Sequence, residues 1–210
     1  MRKFVFMFVL PVVFCVATFG QTAGDFKTEI VTSGTFSTIT IIGYTGSSRN
    51  VVIPAQIDGK RVTIIGDGAF RNSNVDQVVI PDGVIAIGEE AFQSSKIQSI
   101  TIPDSVVTIG EMAFQESNLS TVRLPQGLTE ISMGLFGECQ NLTEVIIPSS
   151  VTAIWGFAFF DTPNLKKITI PPSVTICEIS SFAFNGRANE DKTFSDEIIR
   201  RFGTNPLKFQ

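Results

Sequence analysis

Few side chains in this 210-residue sequence could do chemistry, because the chain contains no histidine. Without imidazole, Ser-His-Asp and Cys-His nucleophile pairs are excluded, as are most zinc sites. The remaining catalytic option is a pair of carboxylates, the arrangement that hydrolyses glycosidic bonds. Glu89 and Glu111 stand at equivalent places, but Asp67 precedes them at the same spacing, which is typical of a structural repeat. We therefore predict no enzymatic activity, no catalytic residue, no cofactor and no metal site.

These carboxylates belong to a block of about 22 residues that recurs down most of the chain. Each copy begins with a short β-strand pattern that ends in proline, followed by an Ile-Gly or similar step and an apolar-Phe pair. Such regular spacing predicts stacked coils whose apolar columns join into one continuous core. Five consecutive copies carry Pro81, Pro103, Pro125, Pro148 and Pro171, and a degenerate first copy runs from Val51 through Pro54 to Phe70.

Segments of different composition flank the repeats. Residues 1–23 resemble a secretory signal peptide, with a basic start, a short apolar run and small residues near a cleavage point after Gly20 or Ala23. We predict a hairpin cap over residues 24–50, about six repeats over 51–186 and a closing amphipathic helix within 187–210. The predicted fold is an α/β solenoid. It has a parallel β-sheet on its concave side and short helical or 3₁₀ segments on the other.

Charge and hydropathy limit the partners of the chain. Its net charge is −4, and loss of Arg2 and Lys3 would leave 14 of the 16 basic residues against 20 acidic ones, about −6. Binding to nucleic acid requires clustered positive charge, so nucleic acid is not an expected partner. The apolar run near the start is shorter than a membrane-spanning helix requires, and we expect no transmembrane segment in the mature chain. Export is predicted, with periplasm, outer surface and release all left open.

Two cysteines follow the predicted signal peptide. Cys139 occupies a slot that other copies fill with serine or threonine, which indicates a small, buried position. Cys177 lies two coils further on, at a distance greater than a disulfide can span. We predict two free thiols.

The repeated pattern, as in Leu142-x-x-Val145-x-Ile147-Pro148, resembles the BspA-type leucine-rich repeat of bacterial secreted and surface proteins. The preceding segment Gly43-Tyr44-Thr45-Gly46 is similar to the start of such arrays, and the resemblance covers residues 36–184. The asparagine that usually follows the strand is missing, so we expect no asparagine ladder. The resemblance implies a leucine-rich repeat protein that adheres to host matrix proteins or to other bacteria.

Two surfaces are candidates for binding. The first is the outward side of the concave sheet, where apolar and polar side chains are mixed among Val79, Thr101, Arg123, Glu144, Ile146, Lys167 and Thr169. The second is an aromatic cluster of Trp155, Phe157, Phe160 and Phe182. If bare, the cluster predicts a homo-oligomer; alternatively, the closing helix covers it.

From these features we predict an exported, non-enzymatic repeat protein that binds another protein through its concave face. A host matrix protein or an envelope protein is the expected partner. The alternative is a self-associating periplasmic scaffold that uses the aromatic cluster. Neither residue type nor spacing identifies the partner.

Overall fold

The computed structural model describes residues 22–177, with the backbone alone for Cys177. Phe182, the predicted closing helix and nearly all of the predicted signal peptide lie outside the described residues. Within them the chain forms a β-solenoid, and each repeat copy is one coil.

The first strand of every coil contributes to a parallel sheet, here called the first sheet. Its strands are three residues long and pair in exact coil-to-coil register, such as Val79 beside Thr101 and Arg123 beside Ile146. A proline follows each strand, and the five prolines from Pro81 to Pro171 each accept a turn hydrogen bond from the residue three positions later. The predicted parallel sheet is confirmed. The first-sheet strands are β3 (Asn50–Val52), β6 (Gln77–Val79), β8 (Ser99–Thr101), β10 (Thr121–Arg123), β12 (Glu144–Ile146) and β14 (Lys167–Thr169).

A second sheet, which the sequence reasoning missed, runs through the Ile-Gly step of each coil. Its strands are mostly two residues long, too short to show the alternation by which strands are recognised in sequence. The chain enters this sheet through an antiparallel hairpin at its N-terminal end. These strands are β1 (Phe26–Ser33), β2 (Phe36–Tyr44), β4 (Gln56–Ile57), β5 (Lys60–Ile65), β7 (Ala86–Ile87), β9 (Thr108–Ile109), β11 (Glu130–Ile131), β13 (Ala153–Ile154) and β15 (Ile176–Cys177).

The extra residues of the first coil form a small hairpin. Strands β4 and β5 pair antiparallel, with Ile57 opposite Lys60 across a two-residue turn. Asp58 and Gly59 both have positive φ, 50° and 74°. Asp-Gly favours such a turn because both residues adopt this conformation at low cost. The insertion therefore extends β5 without disturbing the stack.

The predicted short helical segments on the third side of the coil are wrong, because this side is a run of hydrogen-bonded turns. Alternate backbone N–H groups donate to the next coil, as Gly68 does to Glu89 at 2.9 Å and Phe70 to Ala91 at 2.7 Å. Two residues per coil take positive φ, such as Glu90 at 52°. That conformation turns successive N–H groups outward along the stack, whereas a helix would direct them along its own axis. Within residues 22–177 the one helical element is a 3₁₀ turn at Ala23–Asp25.

Stacked aromatic rings fill the centre of the core. Each ring lies over its counterpart in the next coil with centroids 5.0–5.8 Å apart, and each phenylalanine is at most 1% exposed. Offset stacking of this kind adds to the burial of large apolar surface. The N-terminal hairpin joins this column through Tyr44. The column consists of Tyr44, Phe70, Phe92, Phe114, Phe136 and Phe159.

Both sheets are interrupted at the same coil boundary. Neither β8 and β10 nor β9 and β11 are paired, whereas the turn segments bond across this boundary through Met112, Phe114 and Glu116. The glycines of the Ile-Gly step recur at one position of successive coils, here called the glycine column. The sheets are interrupted where this column first contains a residue other than glycine. Gly66, Gly88 and Gly110 donate their backbone N–H to the preceding coil at 2.7–2.8 Å.

At the interruption Ser132 replaces that glycine. Its hydroxyl, rather than its N–H, donates to the Ile109 carbonyl. A Cβ on Gly110 would lie 2.5 Å from the Glu89 backbone nitrogen, so the glycine positions permit an approach that a side chain obstructs. The backbone ladder resumes at Trp155, which donates to Ile131 at 2.9 Å.

We predict that Gly110→Ala destabilises the solenoid by about 1–3 kcal/mol, the usual cost of overpacking. The matched control is Gly137→Ala, whose Cβ would meet its nearest neighbours at 3.4 Å and should fit with little change. Urea unfolding of both variants gives the measurement. Equal stabilities would show that close approach at Gly110 does not constrain the stack.

Candidate functional site

The outward side chains of the first sheet form one continuous surface, here called the strand face. Alternation along each strand places Val145 in the core at 1% exposure while Ile146 is 60% exposed, as predicted. The strand register on each side of the interruption, with β8 and β10 next to each other across it, places the predicted binding residues in two adjacent columns. One column contains Val79, Thr101, Arg123, Ile146 and Thr169, and the other contains Gln77, Ser99, Thr121, Glu144 and Lys167.

Two large apolar side chains stand in the first column among polar ones. Val79 is 41% exposed and Ile146 is 60% exposed, on opposite sides of Arg123. Exposed aliphatic groups lose water favourably when a partner covers them. The strand face therefore offers two apolar contact points around a cation.

The charged groups of the strand face are paired within the chain. Arg123 donates from both terminal nitrogens to the two Asp104 oxygens at 3.1 Å, and Lys167 Nζ lies 2.5 Å from Glu144. All four side chains are at least one-third exposed. Exposed pairs contribute little to stability because water and salt compete with them. A binding partner could exchange these contacts at small cost.

Asp104 is a residue of this surface that sequence reasoning missed. It lies in the turn after Pro103 and accepts the Gln126 N–H at 3.0 Å in addition to Arg123. The hydrogen bond from Arg123, supported by the one from Gln126, lowers the pKa of the Asp104 carboxyl below its ordinary value. Asp104 thus joins two coils where their first-sheet strands do not pair. The available signal was its position 19 residues before an outward-facing arginine.

The carboxylates considered for catalysis are solvated surface groups. Asp67, Glu89 and Glu111 are all exposed. Asp67 accepts the Glu89 backbone N–H at 2.9 Å and so links two coils. Within residues 22–177 no group of three or more carboxylate or cysteine side chains could hold a metal ion.

The structure divides the predicted aromatic cluster. Phe157 and Phe160 form an edge-to-face pair with centroids 6.0 Å apart, and Phe157 is 41% exposed. Trp155 is half-buried, and its indole N–H donates to Glu130 at 2.8 Å. The exposed apolar part of the cluster is therefore centred on Phe157.

Cys139 is a free, fully buried thiol, as predicted. Its Sγ donates to the Phe114 carbonyl at 3.0 Å and lies 3.4 Å from the Ser117 hydroxyl. Burial raises the pKa of the thiol from 9.0 to about 11. Because only the thiolate is a strong nucleophile, Cys139 is a core residue. The free state of Cys177 remains a prediction.

A solenoid with a parallel strand at the start of each coil, built on a repeat of about 22 residues, is the architecture of a leucine-rich repeat protein. The family model for the BspA type leucine-rich repeat region matches residues 63–190 in 6 copies. The chain belongs to the BspA-type leucine-rich repeat family. No curated protein matches it. In the described part of the chain, no helix has the length and apolar character to cross a membrane.

Three solved structures show what the chain is similar to. The T. pallidum leucine-rich repeat protein TpLRR superposes with a TM-score of 0.67 at 22% identity, over 88% of this chain and 96% of that one. A leucine-rich cell surface protein from Faecalibacterium prausnitzii is 32% identical with a TM-score of 0.50, over 72% of this chain and 51% of that one. The pneumococcal vaccine antigen PcpA is 24% identical with a TM-score of 0.62, over 73% and 44%. The chain therefore spans about half of the second protein and less than half of the third.

We predict that Cys139 makes the free energy of unfolding decrease as the pH rises through the alkaline range. The pKa of the Cys139 thiol is higher in the folded state, at about 11, than the unfolded value of 9.0. The contribution of the buried neutral thiol to folding stability is therefore complete below pH 9 and is lost as the pH rises to about 11. The loss should reach about 2–3 kcal/mol. Urea unfolding of the wild type and of Cys139→Ser at pH 8 and pH 11 isolates this contribution from other titrating groups. Parallel pH dependences of the two proteins would contradict it.

Proposed function

We propose that the protein is an exported, non-enzymatic binding protein that uses its strand face to hold a partner protein at the bacterial envelope. The observation that carries this proposal is the pair of exposed aliphatic side chains, Val79 and Ile146, around Arg123. Both side chains point away from the core and are exposed to solvent. Interfaces concentrate their binding energy on a few such groups, with arginine prominent among them.

A protein is the partner that fits this surface. The strand face mixes isolated apolar groups with hydroxyl, amide and paired ionic groups, which resembles the composition of protein interfaces. Arg123 and Lys167 are each matched by a carboxylate, so the face lacks the free positive charge that a phosphate backbone requires. Membership of a family found on bacterial surfaces supports a host matrix protein or an envelope protein as the partner.

We predict that replacing Val79, Arg123 and Ile146 together with alanine weakens capture of a host matrix protein by at least tenfold, as expected for the loss of an interface centre. Binding to immobilised matrix proteins measures the change. Undiminished capture would exclude the strand face.

The matched control carries the same three kinds of replacement on other sides of the solenoid. Ile85→Ala and Val107→Ala remove aliphatic groups that are 49% and 50% exposed, and Arg71→Ala removes an arginine paired with Glu90 at 2.7 Å. This control should bind as the wild type does. A loss equal to that of the first variant would mean that the effect is not specific to the strand face.

Export to the outer surface has its own test. If the protein binds partners outside the cell, protease added to intact cells should remove it while leaving periplasmic markers whole. A chain that becomes accessible only after the outer envelope is opened would contradict surface adhesion. That result would favour the periplasmic scaffold.

A further inference from the structure

Among residues 22–177, one long strand edge of the N-terminal hairpin is unpaired. Strand β1 spans eight residues, Phe26–Ser33, and among the strands of residues 22–177 it pairs with β2 alone. It is therefore the terminal strand of a six-stranded sheet. An open edge exposes a row of backbone donors and acceptors that matches another strand.

The hairpin determines which backbone groups face the open side. Ser33 pairs with Phe36 across a two-residue turn, and Gly34 has a φ of 61°, as the first position of a type II′ turn requires. The residues that flank such a turn bond to each other, and the pairing then alternates along the strand. Thr32 and Ile30 consequently direct their N–H and C=O groups away from β2. The 3.2 Å contact between the Thr32 and Ser37 hydroxyls agrees, since side chains lie closest in pairs without backbone bonds.

The second half of the exposed edge, from Ile30 to Ser33, lacks the devices that usually block strand addition. Proteins protect edges with proline, lysine, bulges or short strands. In β1 the bulge and the lysine both lie at its beginning, at Lys27 and Thr28. The following stretch carries Ile30 and Val31, which are 58% and 46% exposed, and neighbouring Phe36 is 79% exposed. The unprotected half of the edge is thus also its most apolar half.

We propose that a second copy of this chain docks on β1, so that the two β1 strands pair antiparallel about a two-fold axis at Ile30. In this register Thr28 lies opposite Thr32, Lys27 opposite Ser33 and Glu29 opposite Val31. The backbone N–H and C=O groups that face away from β2 in one copy then lie opposite those of the other copy.

Neighbouring registers fit less well. A two-fold axis at Glu29 places like charges directly opposite each other, which is destabilising. An axis at Val31 places Thr28 against Gly34 of the turn, and an axis at Thr28 shortens the pairing to the bulged part of the strand. Self-complementarity in one register is what an isologous interface requires. The strand face lies on other strands and stays free in each copy, so the dimer would present two of them.

Sedimentation of the full chain and two variants tests the proposal. The wild type should sediment as a dimer. Ile30→Lys places two positive charges at the axis and should weaken dimerisation at least about 100-fold. The matched control Ile146→Lys changes an isoleucine of equal exposure, 60% against 58%, and should leave the dimer intact. A monomeric wild type, or a dimer that survives Ile30→Lys, would overturn the proposal, as would dissociation by Phe157→Lys alone.

Cross-linking supplies a second measurement that does not depend on the lysine variant folding well. Opposed residues of a backbone-bonded antiparallel pair have Cα atoms about 5.5 Å apart, within the range that a disulfide spans. Under mild oxidation Ile30→Cys should give a covalent dimer that neither the wild type nor Ile146→Cys forms. Absence of the cross-link in Ile30→Cys would place the interface elsewhere. Success here would leave the partner of the strand face undetermined, so the two proposals fail separately.

Discussion

The close approach of one coil's backbone to the next is the constraint on which the rest of this structure depends. Hydrogen bonds pass between coils on three sides: in the first sheet, in the second sheet and along the turns. The separation they impose allows the phenylalanine rings to stack at 5.0–5.8 Å. It also accounts for the glycines of the Ile-Gly step, since a Cβ on Gly88 would lie 2.7 Å from the Asp67 backbone nitrogen. Core, backbone bonding and glycine positions therefore have one common cause.

The three ladders do not depend equally on sequence. The turn ladder needs only that two residues per coil adopt positive φ, and residues as different as Glu90, Met112 and Phe157 do so. The second sheet is interrupted beside Ser132, the first residue with a side chain in the glycine column, and it is paired again beside Trp155. At that boundary Arg123, Gln126 and Asp104 connect the coils through side chains. The stack thus tolerates local loss of strand pairing because a third set of backbone bonds continues past it.

The sequence predicts the structural features that recur in every coil, and it does not predict those that depend on the distance between coils. The apolar spacing correctly placed Val145 and Phe136 in the core and Ile146 outside. The two-residue strands of the second sheet, such as Ala153–Ile154, are too short to produce a period. The segments predicted as helical are turns because their N–H groups donate to the next coil, which no pattern within one repeat shows. For the strand face, the two columns of outward side chains were predictable from the alternation of inward and outward residues along each strand. The partner of Arg123 was not, since Asp104 belongs to a different coil.

Packing restricts the inward and outward positions of a coil to different degrees, and this difference bears on binding specificity. Stacking restricts the inward positions so strongly that Phe92, Phe114 and Phe136 occupy equivalent, fully buried environments. Outward positions of the first-sheet strands carry almost no such restriction, and they vary from Thr101 to Arg123 to Ile146 in three consecutive coils. Their variation cannot be attributed to packing. Since the exposed ion pairs can be exchanged at little cost, recognition should depend mainly on where the unpaired aliphatic groups stand along the column. The repeat therefore supplies a uniform platform whose outward residues differ from coil to coil.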